Sequence, residues 1–141
     1  MGETTVPPTA GLPLTWRDLL PWGAGDFSQQ LSAWLGVPQV QLECSGTSAL
    51  MVALRALRTL KPGRSEVIAP AYTCPLVALA IAQCGLQLRL CDLREDALDM
   101  DPARLQQLCS DKTLAVLPTH LCGQVADVDA ALQCARAVGA Y

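Results

Sequence analysis

Apolar positions fall into two kinds of block along the chain, and the blocks alternate. Residues 49–60 and 128–135 carry apolar side chains at helical spacing. Residues 67–69 and 114–117 are short apolar runs without alternation, which is typical of strands buried on both faces of a parallel sheet. The pattern predicts an α/β fold with three layers, αβα, and a mainly parallel sheet. Its predicted strands are residues 40–44, 66–69, 87–91 and 113–117.

Capping residues set the predicted helix ends. An Asp or an Asp-Pro pair precedes three apolar stripes, and Pro75 suits the first turn of a fourth helix. Glycines after the stripes suit the left-handed position that ends a helix. The predicted start signals are Asp26, Pro75, Asp101-Pro102 and Asp127, and the predicted stop signals are Gly36, Lys61-Pro62-Gly63, Gly85 and Gly139.

Residues 1–25 differ from the rest of the chain. They hold many of the prolines and glycines, so residues 4–14 are expected to be extended. Trp16, Leu19, Leu20 and Trp22 are more apolar than a free arm requires, which favours an arm lying on a surface. We therefore expect an N-terminal arm over residues 1–25 and an α/β domain over residues 26–141.

The uncharged stretch at residues 67–88 has the length of a transmembrane segment. Pro70, Pro75, Gln83 and Gly85 divide it, however, which favours a strand, a turn and a short helix. No membrane insertion is expected.

The stretch from Val40 to Leu50 has the most distinctive local chemistry. A β-prone run is followed by a small, hydroxyl-rich turn and then at once by a helix. The first N–H groups of such a helix lack internal partners, and they attract anions together with the helix dipole. Gly46 allows an anion to approach the backbone without a Cβ in the way. Ser45 or Thr47 could equally serve only as a helix cap, so both interpretations stay open here.

Charge and cysteine content narrow the function class. The formal charge of -3 and the scattered basic residues argue against a nucleic-acid partner. Seven cysteines without a CxxC pair, and a lone His120 two residues from Cys122, fit no common zinc spacing, so no metal site is expected. An odd cysteine count without an apparent signal peptide is typical of reduced, mostly buried thiols in the cytoplasm.

Common catalytic motifs are not found in the sequence. There is no GxGxxG after the first predicted strand, no Walker A lysine next to Gly46 and no GxSxG nucleophile elbow. The residues alone therefore predict an α/β domain with a possible anion-binding turn at residues 45–48, called the seat below, and they predict no specific reaction.

Three segments together resemble a known family. Residues 45–50 (SGTSAL), 66–73 (EVIAPAYT) and 118–129 (PTHLCGQVADVD) look like the DegT–DnrJ–StrS aminotransferases. Those enzymes use pyridoxal phosphate, mostly to aminate nucleotide-linked keto-sugars. The resemblance covers residues 26–141, and it favours phosphate binding at the helix start. It implies part of the large domain of the pyridoxal-phosphate-dependent transferase fold.

The resemblance also implies roles for individual residues. Gly46, Thr47 and Ser48 would hold the cofactor phosphate. Cys74 occupies the position that usually bears an aromatic stacked on the pyridine ring, so stacking passes to Tyr72 or is lost. His120 would lie in a loop near the cofactor, or serve only to hold that loop.

Two further features of the family have no match in this chain. The resemblance places the acid that pairs with the pyridine nitrogen, and the Schiff-base lysine, beyond Tyr141. Lys61 and Lys112 are the only lysines, and both are interpreted as surface charges. The expected protein is the N-terminal part of a dimeric aminotransferase that moves an amino group, from glutamate, to a nucleotide-linked keto-sugar. The chain alone is expected to be inactive. The alternative is a non-catalytic binding or association module that keeps only the phosphate seat.

Overall fold

A computed structural model describes residues 15–20 and 25–141, which form two compact units. The first unit ends at Leu42 and the second begins at Glu43. The predicted extended segment at residues 4–14 and Trp22 lie outside the described residues. The division into an arm and a domain at residue 25 stays a prediction.

The first unit contains a 3-10 turn at Trp16–Leu19 and helix α1 at Phe27–Leu35. The Asp26 carboxylate accepts hydrogen bonds from the Ser28 hydroxyl and from the N–H groups of Ser28 and Gln29, and these bonds lower the pKa of Asp26. Gly36 ends α1 with a left-handed φ of 67°, as its sequence position predicted.

The second unit is built on a parallel sheet of three strands in the order β2-β1-β3. These are β1 at Glu66–Pro70, β2 at Gln87–Cys91 and β3 at Thr113–Val116. All five residues of the central strand β1 are buried, as expected for a strand covered on both faces.

Four helices complete this unit: α2 at Gly46–Leu60, α3 at Pro75–Gln83, α4 at Pro102–Leu108 and α5 at Val128–Ala137. Their caps explain their starts, because the side chains of Ser45, Asp101 and Asp127 each accept a backbone N–H three residues further on. Helix α3 instead begins with Pro75 in its first turn. The predicted stretch at residues 67–88 is thus β1, a turn, α3 and the start of β2. No helix in the described part of the chain is long and apolar enough to cross a membrane.

Each face of the sheet has its own apolar core. Helices α2 and α3 pack on one face through the cluster of Leu54, Val67, Ile81, Cys84, Leu86 and Leu114. Helices α4 and α5 pack on the other, through a cluster that includes Ile68, Cys91, Met100, Leu105, Val116 and Ala131. The predicted three-layer αβα arrangement is confirmed.

The predicted first strand at residues 40–44 is wrong for this structure. Those residues join no ladder, so the described residues form three strands where the sequence predicted four. A strand needs hydrogen bonds to a neighbouring strand, and β-prone composition alone does not supply them. Both edges of β1 are occupied by β2 and β3. On the outer edge of β3, Tyr141 donates to Leu114 O and accepts from Val116 N.

Two predictions about side chains also need correction. The thiols are all free but not mostly buried: Cys84 and Cys91 are buried, whereas Cys44, Cys74 and Cys122 are exposed. Lys61 is more than a surface charge, because its ammonium group donates to the Gly139 carbonyl and lies 4.5 Å from the ring centre of Tyr141. Helix ends and loops, which the apolar pattern describes poorly, account for most of these residues.

Candidate functional site

The helices of the second unit end at one edge of the sheet, where the strands begin. Arg64 shows this most directly, because its guanidinium donates to Thr113 O at the start of β3 and to Val138 O at the end of α5. Lys112 O accepts the N–H groups of Ser65 and Glu66 at the same edge. Helix α2 ends just before this edge and is about 22 Å long. It therefore begins at the opposite edge, where the strands end.

The start of α2 offers two free backbone donors. Ser45 is its cap, with its hydroxyl accepting from Ser48 N at 3.1 Å and its carbonyl accepting from Ala49 N at 3.0 Å. The N–H groups of Gly46 and Thr47 make no hydrogen bond within the described residues. The cap at Ser45 is therefore confirmed, and anion binding by the two free N–H groups that follow it stays a prediction.

The space next to Gly46 is open. A Cβ added there would meet no atom within 4 Å, so the protein itself does not require glycine at this position. The Thr47 side chain is half-buried beside it. Two free N–H groups at a helix start, with an exposed glycine between the cap and Thr47, fit an anion such as a phosphate.

Ser48 is occupied by a different partner. Its hydroxyl donates to the Glu43 carboxylate at 2.7 Å, and both side chains are half-buried. The family resemblance assigned Ser48 to the phosphate without considering Glu43. A Glu five residues before a Ser follows no recognised spacing rule, so this bond could not be predicted from the sequence.

A hydrogen bond joins the loops that follow β1 and β3. Thr73 Oγ1 lies 3.4 Å from Thr119 Oγ1. Tyr72 and Cys74 flank Thr73, and both are exposed. Cys74 also forms the N-terminal boundary of α3 without a side-chain cap bond. The two loops thus meet at the edge where α2 begins, as parallel strand topology requires.

His120 follows Thr119 and holds its own loop. Its Nδ1 accepts the Ala126 N–H at 3.0 Å, so a neutral ring carries its proton on the exposed Nε2. Leu121 and Gln124 close a tight turn in which Cys122 and Gly123 have φ of 52° and 79°. The loop-holding role proposed for His120 is therefore present, and Nε2 stays available to a ligand.

Among the described residues, no group of three or more His, Cys, Asp or Glu side chains could hold a metal ion. The groups gathered at the strand ends are backbone N–H donors, hydroxyls, an imidazole, one exposed phenol and the Glu43 carboxylate, which is bound to Ser48. Such a set binds a phosphate and an aromatic ring better than it binds a cation.

The sequence matches the profile of the DegT/DnrJ/EryC1/StrS aminotransferase family over residues 23–141. It is 34% identical over 111 residues to GDP-perosamine synthase of Caulobacter vibrioides, covering 79% of this chain and 29% of that protein. It is 36% identical over 110 residues to a putative L-glutamine:3-amino-2,3-dideoxy-scyllo-inosose aminotransferase of Streptoalloteichus tenebrarius, covering 78% and 26%. The chain thus spans under a third of the curated relatives it matches.

Solved structures agree with the sequence comparison. A putative sugar aminotransferase from Streptococcus pneumoniae, in its pyridoxal-phosphate form, superposes with a TM-score of 0.68 at 31% identity, covering 76% of this chain and 27% of that one. The resemblance inferred from three sequence segments is confirmed, as is the pyridoxal-phosphate-dependent transferase fold. The chain belongs to the DegT/DnrJ/EryC1/StrS aminotransferase family, whose cofactor is pyridoxal phosphate.

Proposed function

We propose that this chain forms the phosphate-binding part of a pyridoxal-phosphate-dependent aminotransferase acting on a nucleotide-linked keto-sugar. The observation that carries the proposal is the start of α2, where two unpaired N–H groups face open space at Gly46. In a member of this family, that arrangement supports binding of the cofactor phosphate.

The phosphate would be held by Gly46 and Thr47. Their N–H groups donate to phosphate oxygens, and the Thr47 hydroxyl adds a third donor. The positive end of the α2 dipole favours the phosphate charge. Ser45 supports the seat indirectly, since its cap bond to Ser48 N fixes the first turn.

The cofactor ring would lie near the loop at residues 71–74. Tyr72 is exposed at this edge and is the aromatic available for stacking, while Cys74 offers only a small, polarisable contact. His120 Nε2 would supply a donor from the neighbouring loop. The ring, once bound, supplies the electron-accepting group on which amino transfer depends.

Neither lysine of this chain lies at that edge. Lys61 is bound to Gly139 and Tyr141, and Lys112 precedes β3 at the opposite edge. The residues present can therefore bind and orient the cofactor, but they supply no amine to it. We propose that the lysine and the ring-pairing acid come from sequence outside these 141 residues, and that the chain alone is inactive.

The names of the relatives suggest which substrates to test. One relative is named for a GDP-linked amino sugar, and another, from Escherichia coli, is a dTDP-4-amino-4,6-dideoxy-D-glucose transaminase. A third is named for glutamine as donor and an inosose as acceptor. We propose glutamate as the donor, with glutamine as the competing arm of the experiment.

The assay uses the protein expressed from its natural gene, pyridoxal phosphate, either donor, and a panel of GDP- and dTDP-linked keto-sugars with an inosose as comparison. Formation of 2-oxoglutarate from glutamate that depends on a nucleotide-linked acceptor supports the proposal. Cofactor binding without donor turnover points to the non-catalytic module instead. Turnover with the inosose alone would exclude the nucleotide-linked acceptor.

The functional protein is proposed to be a homodimer. Helix α3 is apolar on nearly every side, yet Leu76 and Leu79 are about half exposed, at 50% and 51%. A helix that is apolar all round is normally covered by other protein. Sedimentation equilibrium of the natural gene product should give twice the monomer mass, and a concentration-independent monomer would contradict the proposal.

A further inference from the structure

The bond between Ser48 and Glu43 places a carboxylate at the start of α2. Ser48 Oγ donates to Glu43 Oε2 at 2.7 Å, the usual distance for a well-formed hydrogen bond from a hydroxyl. Both residues belong to the same compact unit, and both side chains are half-buried. The bond is therefore shielded in part from competition by water.

A hydroxyl has one proton, so Ser48 cannot donate to Glu43 and to a phosphate at once. While the Glu43 bond exists, Ser48 presents only lone pairs to an incoming anion. The donors that remain are the N–H groups of Gly46 and Thr47 and the Thr47 hydroxyl. Ser48 thus follows Gly46 and Thr47 in the sequence, but its hydroxyl does not donate to the phosphate.

The charge of Glu43 acts in the same direction. The carboxylate shares the positive end of the α2 dipole with any phosphate bound there, and like charges disfavour each other. A phosphate must overcome this repulsion through its own contacts. Free inorganic phosphate has few contacts, whereas a phosphate carried by an aromatic cofactor gains further contacts through its ring.

We propose that Glu43 is a positioning residue that holds the Ser48 hydroxyl away from the phosphate and weakens the seat for free inorganic phosphate. The inference rests on the proposed cofactor seat at Gly46 and Thr47. The seat is then reserved for a phosphate that is anchored elsewhere as well, which is the chemistry of a phosphorylated cofactor.

The test is a double-mutant cycle, with inorganic phosphate as the probe and its dissociation constant measured by calorimetry and by ³¹P line broadening. Glu43→Gln keeps the size of the side chain but removes its charge, and it should tighten phosphate binding about tenfold. Glu43→Ala also frees the Ser48 hydroxyl. Ser48→Ala should change the affinity less than twofold in the wild-type background but weaken it several-fold in the Glu43→Ala background.

Glu43→Asp separates charge from position, since it keeps the carboxylate but is too short to preserve the 2.7 Å bond. It should bind phosphate no more tightly than Glu43→Gln. Circular dichroism of each variant checks that α2 remains helical. Because Glu43→Gln is nearly isosteric, it preserves a readout even where Glu43→Ala unfolds.

The outcomes separate two kinds of failure. Phosphate affinity that Gly46→Ala reduces but that ignores every Glu43 variant would overturn the role of Glu43 and leave the seat intact. A tenfold loss on Ser48→Ala in the wild-type background would also overturn it. Phosphate binding in no variant would overturn the seat and this inference together. If the Glu43 and Ser48 variants affect phosphate affinity as expected but the protein transfers no amino group, only the aminotransferase activity is refuted.

Discussion

Replacing Gly46 with Ala should move stability and phosphate affinity in opposite directions. Gly46 is the first residue of α2 and has an ordinary negative-φ backbone, and the added methyl meets nothing within 4 Å. Ala restricts the unfolded chain more than Gly and is the better helix former, so the variant should gain about 0.5 kcal/mol in stability.

The same methyl occupies the space through which a phosphate reaches the backbone. Hydrogen bonds to charged groups contribute about 1.5–3 kcal/mol each. Losing one of the two N–H contacts, at Gly46 or Thr47, should therefore weaken binding by roughly 10- to 100-fold, since about 1.4 kcal/mol is tenfold. If Gly46 does not contact a phosphate, the variant should show no such loss.

The assay pairs urea unfolding with a titration of pyridoxamine phosphate, which lacks the aldehyde and so reports non-covalent binding. Gly63→Ala is the matched control, because an added Cβ there also meets nothing within 4 Å. Gly63 lies in the loop before β1, at the edge of the sheet far from the seat. Equal affinity of Gly46→Ala and Gly63→Ala would refute the phosphate seat, and a loss of stability in Gly46→Ala would refute the open geometry.

Three further predictions concern stability. Arg64→Met should lower the unfolding free energy by about 2–3 kcal/mol, because the carbonyls of Thr113 and Val138 lose a charged donor. Arg55→Met, at an exposed position, is the control and should change it by under about 0.5 kcal/mol. Urea titrations measure both values. Cys122→Asn should raise the thermal midpoint, corresponding to about 0.5–1 kcal/mol, because Asn tolerates the φ of 52° better; a lower midpoint would contradict this. Burial raises the pKa of Cys91 and of Cys109 to about 11 from 9.0. Between pH 9 and 11 these thiols stay protonated in the folded chain but ionise in the unfolded chain. The free energy of unfolding should therefore fall as the pH rises through that range, by up to about 1.4 kcal/mol per pH unit for Cys91. An unchanged urea midpoint across that range would count against it.

Local chemistry explains why most element boundaries could be predicted from the sequence. Asp26, Asp101 and Asp127 each cap the helix that the apolar pattern placed after them. Gly36 and Gly85 both have the left-handed φ expected after a helix. Caps and stops act over three or four residues, so their signal is contained in a short stretch of sequence.

The strand predicted at residues 40–44 failed for the opposite reason. Its composition suits a strand, but a strand exists only with a partner, and the pairing of distant segments leaves no local signal. The start of α2 was still placed within three residues, because Ser45 caps it whether or not a strand precedes it. A helix start can thus be predicted more safely than the strand in front of it.

The hydrogen bonds around the proposed site could not be predicted from the sequence. Family resemblance singled out the turn at Gly46 and Thr47, whose two N–H groups the structure leaves unpaired, and binding of phosphate there stays a prediction. It could not show that Ser48 is already committed to Glu43, nor that Thr73 meets Thr119 across two loops. Those contacts depend on side-chain rotamers and on loop geometry, which a sequence motif does not specify.

Three cations of the chain lie at the edge of the sheet opposite the proposed seat. Arg58, Lys61 and Arg64 each donate to a carbonyl at the end of a helix, at Cys84, Gly139 and Val138 respectively. Those carbonyls carry the negative end of the helix dipoles, so these three cations are favoured there. At the edge where α2 begins, the proposed seat instead uses oriented N–H groups, which cost no side-chain entropy on binding. A seat of this kind has modest affinity by itself, and a single carboxylate such as Glu43 is enough to tune it.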